Sequence, residues 1–90
     1  MRSQLLSARA AALFASDLPT GSRPGNLTVR ATIAATVRAR GGTRGCVAAM
    51  ATAFGDYPET AAPRMRWALE VLTGADDVPR RVPRRELLAA

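Results

Sequence analysis

Apolar positions recur at helical spacing in four stretches of this chain, separated by glycine- and proline-bearing turns. In residues 3–16, Leu6, Ala10, Leu13 and Phe14 line one narrow face and predict a first helix. Pro19, Gly21, Pro24 and Gly25 then mark a linker over 19–26, which sets off an N-terminal amphipathic helix unit, 1–18. A second helix is expected from Asn26 or Thr28, either able to cap it, with Val29, Ile33 and Val37 inward and Gly41-Gly42 as its stop.

Thr43 is a natural cap for a short third helix, with Cys46, Val47, Met50 and Phe54 on one face and Gly55 as its end. Asp56 followed three residues later by Glu59 has capping-box spacing, and Pro58 suits a first turn. The fourth helix presents Ala61, Met65, Ala68, Leu69 and Leu72 on one side and stops at Gly74. Pro63 is awkward unless the helix opens only at Thr60. Trp67 and Val71 form a second apolar stripe, which either covers the first helix or serves as an interface to a second copy or a protein partner. Packing within the monomer is the preferred alternative. After Gly74, the repeat Val78-Pro79-Arg80-Arg81, Val82-Pro83-Arg84-Arg85 lacks helical or strand period and reads as a disordered basic tail, 75–90. The expected fold is all-α: a three-helix bundle over 27–74, plus the N-terminal helix and the tail.

Ninety residues suffice for one domain with a modest core. All thirteen basic residues are arginines, against seven acids. They are unevenly placed: residues 1–55 hold seven arginines and only Asp17, whereas Asp56, Glu59, Glu70, Asp76 and Asp77 make 56–77 net acidic. Such a balance suits a polyanionic partner. Cys46 stands alone and histidine is absent, which excludes an internal disulfide and a Cys/His metal site. Without His or Lys, the usual catalytic bases and nucleophiles are missing, so neither an enzyme nor a cofactor is expected. Cys46 reads as a buried apolar residue rather than a reactive thiol. The N-terminal apolar stretch is interrupted by Arg9 and too short to span a membrane, and its faint likeness to a transit peptide is outweighed by a cytoplasmic reading.

Residues 46–72 form a helix, a glycine turn and a helix. This segment resembles the helix-turn-helix of the promoter-reading C-terminal domain of sigma factors. Ala51 is the small residue that lets the two helices approach, Gly55 the turn, Pro58-Glu59-Thr60 the opening of the second helix, and Ala61 and Met65 its inward positions. Arg64 matches an arginine common at that place in the sigma-type motif. Asp56, Ala62 and Pro63 depart from the pattern. The strings Phe54-Gly55-Asp56-Tyr57-Pro58-Glu59-Thr60 and Arg64-Met65-Arg66-Trp67-Ala68 also resemble a group of small uncharacterised proteins of high-GC Gram-positive bacteria, which implies a bacterial origin.

The sigma-type resemblance implies a small DNA-binding protein, a transcriptional regulator or accessory factor. Thr60, Arg64 and Arg66 would sit at the groove, and Arg38, Arg40, Arg44 and the tail residues Arg80, Arg81, Arg84 and Arg85 on phosphates. Arg30 belongs to the same stretch of basic residues. The alternative is a non-enzymatic protein–protein adaptor using Trp67 and Val71, and a plain α-hairpin accounts for the same pattern. The ending Leu87-Leu88-Ala89-Ala90 resembles the tag that marks stalled chains for destruction in bacteria.

Overall fold

In the computed structural model, the backbone is described for residues 2–89 and the side chains for residues 4–74. Four helices follow one another: α1 (Arg2–Ala15), α2 (Asn26–Ala39), α3 (Thr43–Asp56) and α4 (Pro58–Ala89). The described backbone holds no strand.

The first helix is the hub rather than an appendage to a bundle of the other three. α1 packs on each of α2, α3 and α4. Its consecutive residues Ala10, Ala11, Ala12, Leu13 and Phe14 are all buried, so the helix is covered on every side at that level. One cluster joins Ala10 and Leu13 to Val29, Trp67, Ala68, Val71 and Leu72; a second joins Ala11 and Ala12 to Cys46. Alanine makes this possible, because its short side chain lets three neighbouring helix backbones approach closely. The N-terminal helix, expected beside a helical domain over 27–74, thus contributes to both buried clusters.

The joint between α3 and α4 is a single residue. Gly55 lies inside α3, which extends to Asp56, and only Tyr57 separates the two helices. Tyr57 closes α3, its N–H donating to the Ala53 carbonyl at 2.7 Å. Its own carbonyl accepts from the Thr60 and Ala61 N–H groups and so opens α4. Pro58 favours this location: a proline disfavours the α region for the residue before it, and Tyr57 adopts φ −139°, ψ 65°. Asp56 is thus the last residue of α3 rather than a cap, and Pro63 sits exposed in the second turn of α4, not in its opening turn. The helix-turn-helix expectation placed a glycine turn here, and such motifs carry a turn of roughly three or four residues. Ala51, expected between the two helices, is exposed.

Two other caps differ from expectation. Gly25 and Gly42, not Asn26, Thr28 or Thr43, occupy the positions preceding α2 and α3. Gly41 (φ 76°) and Gly42 (φ 115°) do make the left-handed turn expected after α2. The backbone of α4 passes Gly74, expected as a stop, and is helical through the Val78–Arg85 repeat, expected as an extended arm. No helix among the described residues is long and apolar enough to cross a membrane.

Candidate nucleic-acid interface

The arginines of the expected interface divide into three groups. Arg38, Arg40 and Arg44 are exposed and lie within seven residues, in the last turn of α2, at its C-terminal boundary and in the first turn of α3. Arg38 and Arg40 are well placed at the negative end of the α2 dipole. Arg40 reaches the Ala15 carbonyl only at 3.5 Å and otherwise faces solvent.

The Arg64 guanidinium, expected at a DNA groove, is occupied inside the monomer. Nε donates to the Phe14 carbonyl at 2.8 Å, one terminal nitrogen to Thr20 Oγ1 at 2.8 Å, and the other to the Ser16 and Leu13 carbonyls at 2.9 and 3.4 Å. These carbonyls lie at the C-terminal end of α1, whose last turn has no basic residue of its own; the Leu13 carbonyl also accepts from the Ser16 N–H and hydroxyl. The guanidinium carbon also lies 4.8 Å from the Trp67 ring centroid and 5.7 Å from that of Phe14. Partial burial lowers the Arg64 pKa from its ordinary value by desolvation. Arg64 is a remote C-cap for α1.

Trp67 and Val71 are buried, 4% and 5% exposed, which removes them as interface residues in the folded monomer. Trp67 Nε1 donates to the Ser22 carbonyl at 2.8 Å and ties the 16–25 linker to α4. Thr60 is exposed, its hydroxyl turned back to the Tyr57 carbonyl at 3.2 Å. Arg66 is exposed, but the described outer face of α4 also carries Glu59 and Glu70. Two carboxylates against one guanidinium make this face repel phosphates rather than gather them. The side chains of Arg80, Arg81, Arg84 and Arg85, and the Leu87–Ala90 ending, lie outside the described residues.

Sequence reasoning missed a pairing of Arg9 with Arg30. They line one groove between α1 and α2, together with Leu5, Asn26, Ile33 and Ala34. Each sits four residues after another lining residue, Leu5 and Asn26 respectively, so the row along each helix is visible in the sequence, but the meeting of the two rows is not. Cys46 is fully buried. Among the described residues, no group of three or more His, Cys, Asp or Glu side chains could hold a metal ion. No family model matches this chain, and no curated protein or solved structure matches it.

Proposed function

We propose that this chain is a small DNA-binding protein that holds backbone phosphates through Arg38, Arg40 and Arg44, as an accessory factor rather than a reader of base sequence. The observation that carries the reading is the exposure of these three arginines around the α2–α3 turn, in a stretch, 18–55, that contains no acid. Phosphate contacts of this kind position a protein on a duplex without specifying sequence. α4 is not assigned to a groove, since Arg64 is spent on α1 and the outer face of α4 carries Glu59 and Glu70.

A titration of random-sequence duplex against the full chain over a range of salt concentrations tests this reading. Affinity should fall steeply with salt, as condensed counterions are released when phosphates are neutralised. Absence of binding at low salt rejects it. The second reading, a protein–protein adaptor, is favoured by one observation: a mainly apolar groove between α1 and α3, where Ala8, Ala11, Val47 and Met50 are flanked by Gln4, Ser7 and Thr43, with Val47 43% exposed.

A further inference from the structure

The groove between α1 and α2 has the composition of a site for a small organic anion. Its volume is about 520 Å³, within the range of small-molecule pockets, about 300–1,000 Å³. On the α1 side, Leu5 and Arg9 are one turn apart. On the α2 side, Asn26, Arg30 and Ala34 follow one another at four-residue intervals, with Ile33 beside them. The lining thus holds one cation from each helix, one side-chain amide, three aliphatic side chains and no acid.

Two guanidiniums brought to one groove from separate helices repel each other unless an anion stands between them. Among the described residues, the arginines that donate side-chain hydrogen bonds are Arg40 and Arg64. Arg9 is half-buried and Arg30 exposed, and both line the groove. Leu5 is 61% exposed, whereas Ile33 is packed against both core clusters and gives the groove a fixed apolar surface. A bare inorganic ion would leave this aliphatic surface wet, and an uncharged lipid would leave both guanidiniums without a partner.

We propose that the α1–α2 groove binds an amphipathic anion of small-molecule size, its carboxylate or phosphate head held between Arg9 and Arg30 and its alkyl body laid on Leu5, Ile33 and Ala34. The Asn26 amide offers the head or its neighbouring oxygen a neutral donor. Arg38, Arg40 and Arg44 do not line this groove, so the site is independent of the phosphate contacts proposed above, and either can fail without the other.

The test is a titration of the isotope-labelled full chain, followed by amide chemical shifts, with decanoate, decyl phosphate, decanol and inorganic phosphate, each below its aggregation threshold. Saturable shifts at Leu5, Arg9, Asn26, Arg30, Ile33 and Ala34 are expected with decanoate or decyl phosphate, and the tighter of the two identifies the head group. Decanol and inorganic phosphate should bind at least tenfold more weakly. Arg9→Gln and Arg30→Gln should each weaken the preferred ligand by roughly tenfold or more, the effect of losing a charge-assisted hydrogen bond, while Arg38→Gln leaves it unchanged. Arg30 is exposed, so Arg30→Gln keeps the test decisive if Arg9→Gln perturbs the fold. Equal binding of decanol, shifts scattered away from the groove, or an Arg30→Gln protein that binds as tightly as the parent would overturn the assignment.

Discussion

Arg64 meets Phe14 twice: its Nε donates to the Phe14 carbonyl at 2.8 Å, and its guanidinium carbon lies 5.7 Å from the centroid of the Phe14 ring. One side chain of α4 thereby satisfies the end of α1 and covers its last aromatic residue. Phe14 in turn stacks on Phe54 of α3, with ring centroids 5.8 Å apart, so three helices converge at this point.

Arg64→Ala should therefore act on stability, not on DNA. Removing the charged fork leaves the Phe14 and Ser16 carbonyls short of a donor and should cost about 2 kcal/mol. Arg64→Lys should recover only part of this, because an ammonium cannot reproduce the planar fork. Urea unfolding of the three proteins measures it. A change in sequence preference on duplex DNA with unchanged stability would contradict the capping role.

Trp67→Ala should destabilise the monomer by about 3–5 kcal/mol, the usual cost of truncating a buried tryptophan. Trp67→Phe keeps most of the ring and loses the Ser22 bond, at a cost of about 1 kcal/mol. Sedimentation alongside thermal unfolding separates these effects from an interface role, in which a folded variant would merely dissociate.

Two glycines within the same helix should respond to alanine with opposite signs. A Cβ on Gly45 would collide with the Arg40 carbonyl oxygen, a backbone atom that cannot swing aside. A Cβ on Gly55 meets open space. Gly55→Ala should accordingly stabilise by about 0.5–1 kcal/mol, and Gly45→Ala should destabilise despite the better helix propensity. Paired thermal melts decide.

Combined Arg38→Gln, Arg40→Gln and Arg44→Gln should flatten the salt dependence of duplex binding by about one unit of slope for each phosphate left without its arginine. Arg66→Gln should leave it nearly unchanged, since Glu59 and Glu70 share its face. A slope that follows Arg66 instead would relocate the interface to α4.

The helices are legible in the sequence, and their roles much less so. Val29 and Cys46 face inward as the spacing predicts. Alanine conceals the importance of α1: Ala11 and Ala12 count as filler in a hydrophobic pattern, yet each is fully buried. Gly55 suggests a stop because glycine commonly ends helices, but a helix tolerates glycine at about 1 kcal/mol, while Pro58 biases Tyr57 away from the helical region. The role of Arg64 is hidden because its partners lie about fifty residues away. A signal does exist: α1 ends at Ala15-Ser16-Asp17 with neither a glycine nor a basic residue in its last turn. Its carbonyls have to find a donor elsewhere.

The position of α1 at the centre has a consequence for how the protein is made. The hub precedes its partner helices in the chain, and Trp67, Ala68, Val71 and Leu72 are synthesised more than fifty residues after Leu13. Until they emerge, Ala10 and Leu13 have only Val29 of α2 from the buried residues of their cluster, and the side of α1 that α4 covers stays in water. The nascent chain therefore carries its core half-built, and cooperative folding waits until α4 has cleared the exit tunnel.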